Sequence, residues 1–539
     1  MFAFAAAIRW NPMMSMRTLL ALGLLATGLS ASGTMAAQDV TAGPGVAVRT
    51  GALRGATHEG IYSFKGIPYG APTGGESRFK PPRQPAPWQG TRDALRYGDQ
   101  CPQMPPTGGN DKPDPTVKIS EDCLVLNVWT PGLGDGKRRP VMVWLHGGGF
   151  VAGSGGAAAT DGERLARRGD VVVVTLNHRL NAFGYLYLGG TAGAEFADSG
   201  NVGQLDLLLA LQWVRDNIAQ FGGNPAEVTL FGESGGGSKV GTLMGTPAAR
   251  GLFQRAILQS GFAITGILPQ DATKITDGVL KELGLSRQQV RELQRVPVDK
   301  LIDALRTVLG GLPYGLGPVI DGRSVPRHPF TPDAPAQSAD IPVMAGYNKD
   351  ETTVLFPPAD AFTLDWASLR AHMVTTLPGA DVDAFIATLR SQRPAATPSE
   401  LYFAVTTEQG MGTNARTLAT RKSAQQAPVY LYRLEWESPL NGGKLRAHHG
   451  LDVALVFDNV QGGTAFTGAD AIAAQSVADA MSTAWIQFAR TGNPNSPGEA
   501  FWPRFDAALQ PTMIFNVTSR AVSDPARELR LLLQDPPRR

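Results

Sequence analysis

The chain has 539 residues, 43% hydrophobic and 18% charged, a composition that excludes intrinsic disorder and fibrous repeats. Lys plus Arg number 49 against 47 Asp plus Glu, a formal net charge of +2, which excludes a nucleic-acid footprint and a polybasic membrane surface. Length alone allows roughly two to four domains, but the chain shows no linker, internal repeat or low-complexity tract, so one large domain is expected.

At the N-terminus Arg9 and Arg17 precede an apolar run over 19–29, and the small-residue region around Thr34, Met35 and Ala36 follows, the three-part order of a secretory signal. The run is shorter than the about 20 residues a membrane helix needs. Met13, Met14 and Met16 are alternative starts, because the segment ahead of them is long and apolar for a signal's basic region. This predicts a signal over 1–37, a working domain over 38–539, and a secreted or periplasmic protein without a membrane anchor. An exported chain with two cysteines implies one disulfide, Cys101 to Cys123, across a polar, Pro- and Gly-rich segment. Closing that loop stabilises by about 3 kcal/mol on chain-entropy grounds. No Cys/His cluster has zinc spacing, so neither a metal nor another cofactor is expected.

Short, near-continuous β-branched runs at 141–145, 171–176, 228–231, 256–258, 342–345 and 429–433 read as parallel strands buried on both faces. Helical patterns separate them, the clearest over 203–220, where Leu205, Leu208, Leu209, Leu211 and Val214 share a side. Strand, helix, strand repeated this way predicts an α/β fold with a large, mostly parallel central sheet flanked by helices. Two rather polar helical segments, 274–309 and about 360–423, interrupt the alternation. They are expected as insertions above the sheet's carboxyl edge, walling an active-site gorge.

The segment VTLFGESGGGS, 228–238, carries the chemistry. A strand ends at Phe231, and Gly232-Glu233-Ser234-Gly235-Gly236 makes the sharp strand-to-helix turn that displays a serine hydroxyl above a sheet. The five-residue pattern alone is weak, with about 0.3 chance matches expected at this Gly and Ser usage; the strand before it makes it specific. Upstream, MVWLHGGGF runs from a strand into Gly147-Gly148-Gly149, where backbone N–H groups can face an oxyanion together with the N–H after the nucleophile. A phosphate-binding loop would need GxxxxGK[ST], which is absent. Serine needs a base and an orienting acid, and on such sheets the chain order is Ser, acid, His. That order leaves His328, His372, His448 and His449. His449, in AHHGLDVALVF, is favoured, with His448 beside it as the alternative; for the acid, Asp350 and Glu351 after the strand PVMAG are both open.

These motifs, with FKGIPYGAP, SEDCLVLNVWTP, NHRLNAFGYL, FGGNPAEVTLFGESGG, GYNKDE and FARTGNPN, resemble the type-B carboxylesterases of the α/β-hydrolase superfamily, the group of para-nitrobenzyl esterases and cholinesterases, over nearly the whole mature chain. The resemblance implies a serine esterase with Ser234 as nucleophile, Glu351 as acid and His449 as base. It implies Gly148, Gly149 and Gly235 as oxyanion donors, the Cys101–Cys123 disulfide, and a structural ion pair from Arg78 to Glu121. Three departures stand out. Gly235 replaces the family's usual Ala, which suggests a looser turn. Thr352 replaces Gly after the acid, with an effect expected on that loop alone. The 101–123 loop has no aromatic residue where cholinesterases place the Trp that binds quaternary ammonium, so a choline ester is not the expected substrate.

The reaction expected is ester hydrolysis to acid and alcohol through an acyl-enzyme, on a small-molecule substrate, with activity lost below the usual histidine pKa of about 6.5. The triple glycine of HGGGF predicts tolerance of bulky, even tertiary, alcohols. An amidase or carbamate hydrolase would use the same triad, and a non-catalytic, adhesion-type role is known on this fold in chains lacking the serine or histidine. Natural substrate, oligomeric state and the role of Glu233 are not readable from the sequence.

Overall fold

The buried β-branched runs assemble into one sheet in the computed structural model, which describes residues 41–104, 118–310, 315–460, 467–468 and 471–538. The signal read at 1–37 lies outside the described residues. The strands are β1 (Thr41–Val48), β2 (Gly51–His58), β3 (Ile61–Pro68), β4 (Thr91–Asp93), β5 (Val125–Thr130), β6 (Arg139–Leu145), β7 (Val172–Leu176), β8 (Gly223–Glu233), β9 (Arg255–Gln259), β10 (Val343–Asn348), β11 (Val429–Leu434), β12 (Pro511–Phe515) and β13 (Arg520–Ser523). Their order across the sheet is β1-β2-β3-β5-β7-β6-β8-β9-β10-β11-β12-β13, with β4 beside β2. From β7 to β12 every pairing is parallel. Antiparallel strands close both flanks.

All six strands expected from the sequence fall in the parallel block. Side chains alternate between two buried faces, which is why those runs are apolar at every position. Val141, Val143 and Leu145 enter one core with Leu207, Leu211 and Val214 of the helix Val202–Asn217. Met142 and Trp144 enter the opposite core with Met481 and Trp485 of the helix Ala471–Thr491. Each such side chain contributes about 1.5–3 kcal/mol by leaving water. β4 and β13 escaped the sequence reading because they are short and their residues are mostly exposed.

The first helical insertion forms the helices Pro269–Glu282 and Val298–Val308. Their Val279, Leu280, Leu301 and Leu305 share a core with Val151 and Phe183, so the insertion packs beside the glycine loop that follows β6. The second forms the helices Trp366–Thr376, Val382–Gln392, Pro398–Thr407 and Thr413–Ser423. The start of the third is written in the sequence TPSE: Thr397 and Glu400 form a reciprocal capping box ahead of Pro398. The first three share a satellite core with Leu529. The fourth differs from expectation. Its Ala415, Leu418 and Ala419 lie in the sheet's own core, because β10 and β11 are parallel neighbours and the connection between them must return along a sheet face. Among the described residues no helix is long and apolar enough to cross a membrane.

Candidate active site

Ser234 stands between β8 and the helix Gly235–Met244 with φ 56° and ψ −123°, the strained geometry of a residue displayed at a sharp turn. The glycines around it are required by close approach. A β-carbon at Gly236 would lie 1.9 Å from the Leu145 carbonyl oxygen, and one at Gly232 would lie 2.6 Å from the Gly236 carbonyl carbon. Gly261, just past β9, is needed as well: a β-carbon there would sit 1.7 Å from the Ser234 carbonyl oxygen. Gly261 ends the segment RAILQSG, but nothing local in the sequence gives its role, because its contact is with the turn after another strand.

The acid turn follows β10. Glu351 is fully buried, and its Oε1 accepts from Ser260 Oγ at 2.6 Å and from the Asn348 N–H at 2.8 Å. Its Oε2 lies 2.5 Å from His449 Nδ1. Of the two acids left open by the sequence, the structure brings Glu351 to the imidazole. Asp350 turns the other way, toward Arg446 at 3.5 Å and the Ala447 N–H at 3.3 Å. His448 likewise points elsewhere, its Nδ1–H donating to the His449 carbonyl at 2.8 Å. Sequence reasoning assigned Ser260 and Asn348 no role, although Asn348 lies in GYNKDE and Ser260 in RAILQSG, two of the segments that carry the family resemblance.

The other edge of the histidine ring holds a surprise. His449 Nε2 lies 3.1 Å from Glu233 Oε1, and among the described residues no hydrogen bond joins it to Ser234 Oγ. In free hydrolases that bond is commonly long and tightens when substrate binds. Burial pushes the His449 pKa down, but the charges of Glu233 and Glu351 outweigh it and raise the pKa to about 9. Asp452, also fully buried beneath the ring, accepts from Gln259 Nε2 and from Tyr432 OH, each at 2.9 Å, and burial raises its pKa.

Gly148 and Gly149 have φ of 76° and 61°, conformations that suit glycine. Their loop lies directly over the start of the helix Gly235–Met244: a β-carbon at Gly235 would be 2.0 Å from the Gly149 carbonyl oxygen. The departure from Ala noted in the sequence therefore accompanies a tight approach rather than a loose turn. Beneath the loop, the fully buried Lys239 donates to the His146 carbonyl at 2.9 Å. The His146 and His178 rings stack at 4.8 Å beside it. Burial, and then the Lys239 charge, hold both rings well below the usual histidine pKa, so both are neutral.

The disulfide joins Cys101 to Cys123 with Cα atoms 5.0 Å apart. Residues just after Cys101 clamp the glycine loop: the Gly153 N–H donates to Gln103 Oε1 at 3.0 Å, and the Met104 N–H donates to the Val151 carbonyl at 3.1 Å. Arg78 makes the ion pair implied by resemblance, with Nε and NH2 both 2.6 Å from Glu121, and its NH1 donates to the Val296 carbonyl at 2.5 Å. Thr352 does more than alter its own loop. Its hydroxyl lies 2.7 Å from Thr406 Oγ1 and ties the acid turn to the helix Pro398–Thr407. One group among the described residues has metal-ligand types at ligand spacing, His58, Glu59 and Glu163. Both carboxylates are already paired with Arg167, at 2.9 and 2.5 Å.

Residues 42–531 match the carboxylesterase family. The chain is 35% identical over 497 residues to the para-nitrobenzyl esterase of Bacillus subtilis strain 168, covering 90% of this chain and 97% of that one. It is 34% identical to the phenmedipham hydrolase of Pseudarthrobacter oxydans, over 85% of this chain and 92% of that protein. Among solved structures, a carboxylesterase of Geobacillus stearothermophilus superimposes with a TM-score of 0.80 at 35% identity, over 91% of this chain and 100% of the other.

Proposed function

The chain belongs to the carboxylesterase family and hydrolyses carboxylic esters; from that premise we propose that it does so through a Ser234–His449–Glu351 triad and a covalent acyl-enzyme. The observation that carries this reading is the 2.5 Å contact from His449 Nδ1 to Glu351, with Glu351's other oxygen held by Ser260 and the Asn348 N–H. A carboxylate fixed in this way holds the ring proton on Nδ1, so that the neutral ring has an unprotonated Nε2 to act as base.

In the reaction, His449 Nε2 takes the Ser234 proton as Oγ attacks the ester carbonyl. The developing oxyanion lies at the start of the nucleophile helix, within reach of the N–H groups of Gly148, Gly149 and Gly235, each worth about 3 kcal/mol of transition-state stabilisation. The imidazolium then gives its proton to the leaving alcohol. Water, deprotonated by the same ring, attacks the acyl carbonyl and releases the acid and Ser234. Glu351 orients the ring and stabilises the imidazolium.

The substrate is a small-molecule ester. The open glycine loop supports acceptance of bulky alcohol groups, and the lack of an aromatic residue over 101–123 argues against choline esters. Residues 1–37 are read as a signal that directs secretion or periplasmic export. The test is hydrolysis of p-nitrophenyl butyrate by the protein and by Ser234→Ala, with a fluorophosphonate label followed by mass spectrometry. Loss of kcat by about 10⁴-fold or more, with the label on Ser234, supports the triad. Unchanged turnover in Ser234→Ala overturns it.

A further inference from the structure

Behind the acid turn lies a cavity of about 350 Å³, away from the serine turn and bounded by Lys349 and Asp350 of the turn after β10, Arg433 of β11, Arg446, the second insertion and Leu529. Its lining is dominated by charge. Three carboxylates face it, and each is already satisfied. Asp350 and Glu400 pair with Arg446 at 3.5 and 2.8 Å. Glu408 accepts from Arg416 at 2.7 Å and from Tyr347 OH at 2.6 Å. Of the cations, Lys349 pairs with Glu437 at 3.2 Å, and Arg433 with Glu435. Arg393 differs. Among the described residues no carboxylate lies within 4.0 Å of its guanidinium and no hydrogen bond is made to it, although the side chain is half-buried on the cavity wall. Burial lowers its pKa from the usual arginine value, yet a guanidinium does not give up its proton near neutral pH. A fixed, partly desolvated positive charge therefore faces a space large enough for a small molecule.

We propose that this cavity binds a small oxyanion, a carboxylate or phosphate, with Arg393 as its principal donor. The planar fork of the guanidinium matches two oxygens of such a group. The carboxylates at the cavity already share cations, Asp350 and Glu400 with Arg446 and Glu408 with Arg416, which leaves Arg393 as the lining cation with no carboxylate within 4.0 Å among the described residues. Two features make the site consequential for the neighbouring centre. Asp350 immediately precedes Glu351, and Arg446, three residues before His449, spans the cavity rim and holds Asp350 and Glu400 together. An oxyanion bound there would draw on the same cations that join the acid turn to the histidine loop. One source of such a group is ester hydrolysis itself, which releases a carboxylate; inorganic phosphate is the other.

The experiment follows thermal unfolding at constant ionic strength, with sodium benzoate or sodium phosphate exchanged for sodium chloride. The expected result is a saturable rise of about 2 °C with at least one oxyanion over chloride, absent in Arg393→Gln. The larger of the two rises identifies the source, product acid or free phosphate. The benzoate arm is repeated on protein phosphonylated at Ser234, so that binding in the acyl pocket does not contribute. Failure of Ser234 to label counts against the triad and leaves the phosphate arm intact. No rise with either oxyanion, or the same rise in Arg393→Gln, overturns the proposal. If Arg393→Gln does not fold, Arg393→Lys keeps the charge without the fork and must bind several-fold more weakly; equal binding also overturns it.

Discussion

His449 lies between two carboxylates, Glu351 at 2.5 Å on one ring nitrogen and Glu233 at 3.1 Å on the other. Both favour the imidazolium, and the base must be neutral to act, so kcat/KM rises with pH through the raised value of about 9 rather than through 6.5. Glu233→Gln removes one of the two charges. The pH profile of that variant is expected to shift its ascending limb to lower pH by one unit or more, a change that loss of packing alone does not produce. Gly235 offers a second test. Alanine, the usual family residue, would place a β-carbon 2.0 Å from the Gly149 carbonyl oxygen in this chain. Gly235→Ala is therefore expected to displace the glycine loop and its N–H donors and lower kcat on p-nitrophenyl butyrate by about 100-fold, since one misplaced oxyanion donor costs about 3 kcal/mol. The nucleophile was legible because its constraint is local: strand, glycine, serine, glycine and helix are contiguous. The acid was not. Asp350 and Glu351 are neighbours with the same chemistry, and only the direction each side chain takes on the turn separates them. Resemblance named Glu351; the residue pattern did not.

At the scale of elements, the glycine loop after β6 is held by parts distant in sequence. Gln103 and Met104, next to Cys101, bond to Gly153 and Val151, so the disulfide anchors one wall of the glycine loop. Replacing both cysteines by serine is expected to lower stability by about 3 kcal/mol on chain-entropy grounds. It should also lower kcat, because the clamp on the glycine loop loosens; differential scanning calorimetry and turnover measured on the same sample check both. The acid turn has its own tie, from Thr352 to Thr406. Thr352→Gly is expected to leave the fold intact and reduce kcat several-fold with little change in KM, because it frees the carboxylate that orients the base. The β-branched runs predicted the parallel strands well, since burial on both faces dictates apolar residues at every position. The helix Thr413–Ser423 was misplaced among the lid segments. Its pattern reads as polar, and only the adjacency of β10 and β11 requires it to cover the sheet.

Across the whole molecule, the active centre is coupled to stability through the same histidine. The folded protein holds the His449 proton more tightly than the unfolded chain, with a pKa of about 9 against the usual 6.5. That contribution is fully present below pH 6.5 and is lost as pH rises through 9. The unfolding midpoint of the protein is expected to fall over this window, and the fall should be smaller in His449→Gln; identical pH dependence in the two would refute the assignment. By itself, the sequence determined the α/β class, the parallel middle of the sheet, the serine turn and the glycine loop, because hydrophobic period and turn chemistry act between residues close along the chain. Tertiary structure alone decided that Glu233 touches His449, that Gly261 makes room for Ser234, that Lys239 lies under the glycine loop, and that Arg393 faces a cavity with no carboxylate within 4.0 Å of its guanidinium among the described residues. His449 and Glu351 are 98 positions apart. Contacts at that separation depend on how strands are ordered and how side chains turn at their ends, and neither leaves a local trace in the chain.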